Sequence, residues 1–186
     1  AQGIEKRLGG SAAVASFTIK KLGMNTSFIG RLGDDDASKY LRRELKKFKI
    51  KHENIITIKG AQSSQSFVYE NKQGERLLAA FSEKKLVNNK KLPTISFKQN
   101  TTIMSDLRWV EATLYISNTC NKKKLNHVVD LDNYKLNTKI KQIIDLSSHL
   151  IFSETGAFEY TKINSIVGSL KKMYSIKNKF YAITAG

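Results

Sequence analysis

Short apolar runs alternate with longer amphipathic stretches throughout the second half of the 186-residue chain. The runs predict strands at 101–107, 127–131, 150–153 and 180–184, and the stretches between them predict helices at 110–122, 136–146 and 161–173. Apolar strands separated by helices of about ten or more residues are typical of βαβ units. Because such units place helices against both faces of a parallel sheet, the pattern predicts an α/β fold.

The first half of the chain has a different pattern. It predicts helices at 12–22 and 35–48 around a strand at 26–30, followed by strands at 54–59, 64–71 and 76–81. No helical pattern separates these last three strands, which indicates a small sheet at 54–82 projecting from an α/β body at 1–53 and 83–186. The sheet carries more apolar side chains than it can bury by itself, namely Phe67, Tyr69, Leu77, Leu78 and Phe81.

A glycine pair, Gly9-Gly10, stands directly before the first predicted helix, and Gly23 follows the end of that helix. Because glycine has no side chain, the pair lets a ligand approach the backbone closely. The unpaired N–H groups at the start of a helix favour hydroxyl or anionic oxygens. The same spacing is also that of an ordinary helix–turn–strand unit with Gly23 as its C-cap. The spacing alone leaves both interpretations open.

Polar residues cluster where the predicted strands of the second half end. They are Asp106 and Arg108, Asp130 and Asp132, Ser153 and Glu154, and Thr184 and Gly186. Ligands of open α/β sheets bind beyond the carboxyl ends of the strands. Strand ends also carry polar residues simply because they meet water, and for any single residue this explanation is sufficient. The four clusters together favour a site for a polyhydroxylated or anionic substrate.

The formal net charge of +16 raises nucleic acid as an alternative partner, because a basic surface attracts phosphate. Lysine outnumbers arginine 26 to 6, however, and specific phosphate and base contacts favour the planar guanidinium of arginine. The charge therefore indicates solvated faces more than a nucleic-acid site. The single cysteine, Cys120, excludes an intramolecular disulfide. No apolar run approaches the ~20 residues that span a bilayer, and no signal-peptide pattern is present, so we expect a cytoplasmic protein.

Two segments resemble the amino-terminal signature of the ribokinase-like (PfkB) carbohydrate kinases. The first is the glycine pair with its small-residue helix, and the second is Phe28-Ile29-Gly30-Arg31-Leu32-Gly33-Asp34-Asp35. The resemblance covers nearly the whole chain and implies a mostly parallel central sheet flanked by helices, with a small β-sheet lid. Two positions depart from the family pattern: Val14 replaces an asparagine that usually bonds a sugar hydroxyl, and Ser38 replaces a glycine.

Three segments of the second half resemble the ketohexokinase-like and sulfofructose-kinase-like branch of that family. They are Asp106-Leu107-Arg108-Trp109, Val128–Asp132 and Ser148–Glu154. The resemblance implies a sugar kinase that uses ATP and Mg²⁺, with Gly9, Gly10, Asp106 and Arg108 on the sugar side. Thr184-Ala185-Gly186 resembles the family's Thr-x-Gly segment, which implies Thr184 and Gly186 near the nucleotide. The lids of relatives often pack against each other, so the resemblance also implies a homodimer.

The family's catalytic segment is absent from this sequence. Relatives contain Gly-Ala-Gly-Asp, with an amide anion hole and an aspartate general base, whereas this chain has no Gly-x-Gly-Asp. Ser153-Glu154-Thr155-Gly156 stands where other members have Asn-x-x-Glu. We therefore assign no catalytic or metal-binding residue, and we expect either part of a longer kinase or a shortened relative without the chemistry. The alternatives are a non-catalytic sugar- or nucleoside-binding protein and, less favoured, a basic nucleic-acid-binding protein.

Overall fold

The computed structural model describes residues 3, 5–132, 134–175 and 179–185. The chain forms two compact units, Ala1–Ile95 and Ser96–Gly186. Both units combine helices with strands, which confirms the predicted α/β class. Among the helices of the described ranges, none is both long and apolar enough to cross a lipid bilayer.

The first unit combines short helices with two separate strand pairs. In chain order its elements are α1 (Ser11–Lys21), β1 (Arg31–Leu32), α2 (Asp36–Lys47), β2 (Ile56–Thr57), β3 (Gln65–Glu70), β4 (Arg76–Phe81) and α3 (Lys84–Val87). β1 pairs with β2 in parallel, and β3 pairs with β4 in antiparallel. Both predicted helices, and the predicted strands at 54–59, 64–71 and 76–81, overlap observed elements. The predicted grouping of these three strands into one small sheet is wrong, because β2 pairs with β1 and only β3 and β4 pair with each other.

The predicted strand at 26–30 is wrong in its position. Ser27 forms an isolated bridge, and the regular strand pairing begins only at Arg31. The apolar signal at Phe28 arises from packing, because this ring lies against a small buried cluster of the first unit. That cluster consists of Leu45, Ile50 and Ile55. Phe28 therefore gave the apolar pattern of a strand although it lies in a loop, because the loop packs on a core.

β3 and β4 form a two-stranded ribbon, residues 65–81, in which Gln65 pairs with Phe81 and Glu70 with Arg76. Directly opposed residues share a face of such a pair. One face, called here the aromatic face, carries Gln65, Phe67, Tyr69, Leu77, Ala79 and Phe81, and the opposite face carries Ser66, Val68, Glu70, Arg76, Leu78 and Ala80. All of these residues are exposed, which confirms that the ribbon does not bury its own apolar side chains.

The second unit is built around a four-stranded parallel sheet in the order β5-β6-β7-β8. Its elements are β5 (Ile103–Ser105), α4 (Val110–Lys123), β6 (His127–Leu131), α5 (Thr138–Leu146), β7 (His149–Ser153), α6 (Glu154–Thr161), α7 (Ile166–Tyr174) and β8 (Phe180–Thr184). The buried core combines strand and helix residues, namely Val129, Leu131, Leu150 and Phe152 with Ile140, Ile143, Ile144, Ala157 and Met173. The predicted parallel sheet is confirmed.

The predicted helix at 161–173 corresponds to α7 but begins five residues too early, and α6 was not predicted. Lys162 adopts the left-handed conformation, with φ at 58°, and ends α6. Ser165 then caps α7, since its hydroxyl accepts a hydrogen bond from the Gly168 amide at 3.1 Å. Residues 162–165, which the prediction included in the helix, form the connection between α6 and α7 instead.

A buried polar network lies at the amino-terminal end of β6. The Nε2 atom of His127 lies 3.0 Å from Ser105 Oγ, and its Nδ1 atom lies 3.0 Å from Ser147 Oγ and 3.3 Å from Ser117 Oγ. Burial lowers the pKa of His127 to about 4, so the ring is neutral near pH 7. Cys120 of α4 is buried as well, and burial raises the pKa of its thiol to about 11.

Lys179 joins the end of α5 to the start of β8. Its ammonium donates hydrogen bonds to the backbone carbonyl oxygens of Ile144, Asp145 and Ser147, at 2.6, 2.6 and 2.8 Å. The last carbonyls of a helix have no partner within the helix. One side chain therefore satisfies the end of α5 and positions the start of β8.

Candidate functional site

The carboxyl ends of the four strands of the second unit lie at one edge of its sheet. The register places Ser105 beside Val129 and Ser153 beside Thr184, with β6 and β7 paired between them. The described polar residues at the strand ends therefore follow one another along this edge. They are Asp106 and Arg108 after β5, Asp130 and Asp132 at β6, Ser153 and Glu154 at β7, and Thr184 at β8.

Asp106 is half-buried and organises the loop between β5 and α4. Its carboxylate accepts a hydrogen bond from the backbone amide of Arg108 at 3.0 Å, and its carbonyl oxygen accepts one from the Thr113 hydroxyl at 2.7 Å. Thr113 is buried on α4, so the loop is held to the helix. Arg108, two residues further along the loop, is exposed. Such a pair offers both hydrogen-bond acceptors and donors to a polyhydroxylated or anionic molecule.

The hydroxyl of Ser153, at the end of β7, has a structural role. It accepts a hydrogen bond from the Gly156 amide at 3.1 Å and so caps α6. A Cβ atom on Gly156 would clash with the carbonyl oxygen of Leu131, so the first turn of α6 packs closely against the end of β6. Ser153 therefore builds the edge, whereas the side chains of Asp132 and Glu154 are exposed on it.

Thr184 ends β8 and is exposed. Its hydroxyl donates a hydrogen bond to the carbonyl oxygen of Phe152 at 3.3 Å, which holds the side chain towards the neighbouring strand β7. Gly186, the second residue assigned to the nucleotide side, lies outside the described residues. The structure therefore places one of these two candidates, Thr184, at the same edge as Asp106 and Arg108.

Gly9 and Gly10 are exposed directly before α1 in the first unit. Gly10 has φ at 88°, a conformation that favours glycine, and caps the helix without a side-chain hydrogen bond. A Cβ atom on either residue would meet nothing within 4 Å. The pair thus presents open backbone at the amino end of an eleven-residue helix. Val14, which stands in the place of the family asparagine, is 50% exposed in the first turns of this helix.

The site residues expected from the sequence divide between the two units. Gly9 and Gly10 belong to the first unit, whereas Asp106, Arg108 and Thr184 belong to the second. Within the second unit, Asp106 and Arg108 follow one outer strand of the sheet and Thr184 ends the other. Neighbouring strands lie about 4.8 Å apart, so these two groups are about 14 Å from each other along the edge.

Gly33 acquires a structural role that the sequence analysis did not assign. A Cβ atom at this position would clash with the backbone carbonyl of Ala61, so the close approach of the two segments requires glycine. The Gly33 amide donates to the Ser63 hydroxyl at 3.0 Å, and both carboxylate oxygens of Asp34 accept from the Gly60 amide at 3.0 Å. The glycine of the Gly-Asp-Asp turn therefore serves the packing of the first unit.

Asp35 is the second residue whose role the sequence analysis missed. One of its carboxylate oxygens accepts from the Ser38 amide at 3.0 Å and caps α2, and the carboxylate also accepts from Ser63. Burial favours the neutral acid, but the hydrogen bonds from Ser63 and Ser38 outweigh it and lower the pKa of Asp35. An aspartate directly before a helix is recognisable from the sequence as a cap. The contact with Ser63 is not recognisable in this way, because Ser63 is remote in sequence.

Comparison with known proteins gives the family. A sequence model of the pfkB family carbohydrate kinases matches residues 1–186. The chain is similar to Fructokinase-2 of Solanum lycopersicum, with 36% identity over 76 residues, which are 41% of this chain and 23% of that protein. The matched region thus spans about a quarter of that curated relative.

Solved structures with this fold are also similar to the chain. A "putative ribokinase" from Agrobacterium tumefaciens has a TM-score of 0.85 at 22% identity, covering all of this chain and 64% of that one. The fructose-, ADP- and calcium-bound form of fructokinase from Vibrio cholerae O395 has a TM-score of 0.76 at 15% identity, covering 96% and 63%. At these identities the likeness shows the ribokinase-like fold. Together with the family match over its whole length, it shows that this chain belongs to the pfkB family of carbohydrate kinases.

Proposed function

We propose that this protein is an ATP-dependent sugar kinase, which transfers a phosphoryl group from ATP to a sugar hydroxyl. The observation that carries the proposal is the edge of the second unit's sheet. There Asp106 and Arg108 follow one outer strand and Thr184 ends the other, and these two strands are three strand spacings, or about 14 Å, apart. This separation leaves room for a sugar at one end of the edge and a nucleotide at the other. The similarity to fructokinases favours fructose or a related sugar as the acceptor.

The roles of the candidate residues follow from their chemistry. The Asp106 carboxylate accepts hydrogen bonds from sugar hydroxyls, and the Arg108 guanidinium donates to a hydroxyl or to an anionic group on the sugar. In the first unit, the open backbone amides of Gly9 and Gly10 are suited to bind hydroxyl oxygens of a sugar. Thr184 and Gly186 border the nucleotide. Phosphoryl transfer depends mostly on such positioning and on stabilising charge.

The family implies ATP and Mg²⁺, and when bound the nucleotide supplies the phosphoryl group. Over the described ranges, no three His, Cys, Asp or Glu side chains lie close enough together to hold a metal ion. Magnesium in nucleotide sites is usually held by one or two carboxylates together with phosphate oxygens, so we assign neither a residue nor a step to the ion. Because the sequence has no Gly-x-Gly-Asp segment, we assign no catalytic base, and we expect the 186-residue chain by itself to turn over no ATP in a sugar-dependent way.

The ribbon supports two further parts of the proposal. As part of a lid at 54–82 on a body formed by 1–53 and 83–186, it closes over the sugar and excludes water. Its exposed aromatic face, with Phe67 and Leu77 at 63% and 72% exposure, favours a homodimer in which the lids of two copies pack together. Lys72, Glu75 and Arg76 then form the rim of that interface.

The Arg108→Ala variant tests the sugar side of the proposal. We expect fructose affinity to fall about tenfold or more, the range of a lost hydrogen bond to a charged group, while ATP affinity stays within about twofold. Titration calorimetry measures both. Lys139→Ala is the matched control, because it removes an exposed cation of the same unit that pairs with Glu111, and it leaves both affinities unchanged. An unaltered protein that binds neither fructose nor ATP contradicts the proposal.

A non-catalytic sugar- or nucleoside-binding protein is the second candidate, favoured by Val14 in place of the asparagine and by the missing Gly-x-Gly-Asp. Melting temperatures separate the candidates, since any ligand that binds the folded state raises them. The kinase proposal predicts that ATP and fructose each raise the melting temperature and that both together raise it further. The alternative predicts a rise with the sugar or nucleoside alone. Retention on DNA that falls steeply with salt favours a nucleic-acid-binding protein instead.

A further inference from the structure

The ribbon is held in the first unit by polar contacts at its two ends. All of the side chains of β3 and β4 are exposed, so apolar packing along the strands does not orient it. The leading segment, residues 60–64, enters β3, and the trailing segment, residues 82–85, leaves β4. Hydrogen bonds from these two segments therefore determine where the ribbon points.

Asp35 makes the central contact to the leading segment. Its Oδ1 atom accepts from the Ser63 hydroxyl at 2.7 Å and from the Ser38 amide at 3.0 Å, and its Oδ2 atom accepts from the Ser63 amide at 2.8 Å. Ser63 is 2% exposed, so solvent does not replace these bonds readily. One carboxylate thus joins the first turn of α2 to the start of the ribbon.

The trailing segment is tied to the leading one. The carboxylate of Glu83 accepts a hydrogen bond from the Gln62 amide, and the Ser82 hydroxyl lies 3.0 Å from that of Ser64. The ammonium of Lys85 donates to the Gly60 carbonyl oxygen at 3.1 Å. Because the two segments are bonded to each other, the contacts of Ser63 with Asp35 and Gly33, and of Gly60 with Asp34, bear on the position of both.

We propose that Asp35 is a positioning residue that sets the orientation of the ribbon relative to α2, acting through Ser63 and not through contact with a substrate. The inference rests on the proposed function, in which the ribbon closes over the sugar. Helix capping alone does not account for an aspartate here, because asparagine caps a helix equally well. Only a carboxylate offers a second acceptor to the Ser63 amide, where the amide group of asparagine would present a donor to a donor.

Substitution of Asp35 by asparagine separates its role as the cap of α2 from its role in holding Ser63. Asp35→Asn keeps the cap of α2 and loses the bond to the Ser63 amide. Ser63→Ala removes the hydroxyl that donates to Asp35 and also accepts from the Gly33 amide, and it leaves the cap of α2 unchanged. Asp36→Asn is the matched control, because its carboxylate is exposed and bonds only to Lys39 among the contacts of the described residues.

The orientation of the ribbon is measured directly by electron–electron double resonance. Nitroxides are attached at Lys46→Cys on α2 and Lys72→Cys at the ribbon's turn, both exposed, while Cys120 is buried. We expect a narrow distance distribution in the parent and in Asp36→Asn, and a broadened or displaced one in Asp35→Asn and Ser63→Ala. Hydrogen exchange at the Ser63 amide accelerates about ten- to one-hundredfold in Asp35→Asn, with α2 amides unchanged.

Two results overturn the inference. One is an unchanged distance distribution in Asp35→Asn, and the other is hydrogen exchange that accelerates throughout the first unit, which indicates a loss of stability alone. Fructose calorimetry then tests the link to function, since weaker sugar binding with unchanged ATP binding in Asp35→Asn is the expected result. If the parent does not bind fructose, the proposed function fails while the distance measurement still decides the role of Asp35.

Discussion

The β3–β4 ribbon and the β6–β7 pair carry similar apolar patterns in opposite environments. Phe67 of β3 is 63% exposed, whereas Phe152 of β7 is fully buried. β6 and β7 are parallel and are joined through α5, whose Ile143 packs on the same core. β3 and β4 are antiparallel and are joined by a tight turn around Asn71 and Gly74.

The type of connection explains the difference. A parallel pair needs a long crossover, usually a helix, and that helix covers the face of the strands it joins. A hairpin needs only a turn, so its faces stay uncovered unless another element packs on them. An apolar alternation therefore predicts a strand, but the connection decides whether the chain itself buries that strand.

Truncation of one phenylalanine in each region should show the largest difference in stability between the two. We expect Phe152→Ala to lower the free energy of unfolding by about 3–5 kcal/mol, because it leaves a cavity in a buried core. Phe67→Ala is the matched variant in the ribbon, and at a protein concentration at which the chain is monomeric we expect a change of less than about 0.5 kcal/mol. Urea unfolding followed by circular dichroism measures both. Equal losses would mean that the ribbon's aromatic face is covered within the same chain.

Burial of a phenylalanine stabilises the folded state, whereas burial of a histidine makes the stability of the fold depend on pH. The pKa of His127 is lowered to about 4 in the folded state, against about 6.5 in the unfolded chain, so the unfolded state binds more protons between these values. The contribution to stability is complete above pH 6.5 and is lost as the pH falls towards 4. The expected loss is on the order of 3 kcal/mol.

Urea unfolding at pH 7.0 and 4.5 measures this loss for the parent and for His127→Gln. The variant lacks the imidazole, so its stability changes less between the two pH values. His52→Gln, which alters a histidine of the first unit, is the control and keeps the full pH dependence. A parent with equal stability at both pH values contradicts a buried neutral His127.

Substitutions on the two exposed faces of the ribbon test the proposed dimer, and we expect them to affect folding little. Phe67→Asp places a charge on the aromatic face, and Val68→Asp places one on the opposite face of the same strand. We expect the first variant to be a folded monomer and the second to remain a dimer, because only the aromatic face is proposed to pack against a second copy. Sedimentation velocity at micromolar concentration distinguishes them. A monomeric parent contradicts the proposed dimer.

Local periodicity predicted the second unit well, because each strand and helix there carries its own pattern. The bounds of β6 and β8 are those predicted, and so are those of β4 in the first unit. The strand at 26–30 and the start of the helix at 161–173 are misplaced because of features that periodicity does not contain. Phe28 packs on a core without being in a strand, and a left-handed Lys162 ends α6 before α7 begins at Ile166.

The site was predictable only in part. The parallel order of the strands was enough to bring Asp106, Arg108 and Thr184 to one edge. The contact between Asp35 and Ser63 was not predictable, because it joins residues 28 positions apart through a loop. The separation of Phe67 and Leu78 onto opposite faces was also hidden, since it follows from a register that the turn sets.

The bonds of Lys179 have a consequence for how this chain tolerates amino-acid exchange. The excess of lysine over arginine, 26 to 6, suggests that the two are interchangeable over most of the surface. At Lys179 they are not, because three donors on one nitrogen converge on three carbonyl oxygens, whereas the donors of a guanidinium spread in a plane. Substitution by arginine, conservative in charge, would leave the end of α5 incompletely bonded. The sequence alone presents Lys179 as one more lysine of a lysine-rich chain, whereas the structure shows that its three hydrogen bonds suit a lysine.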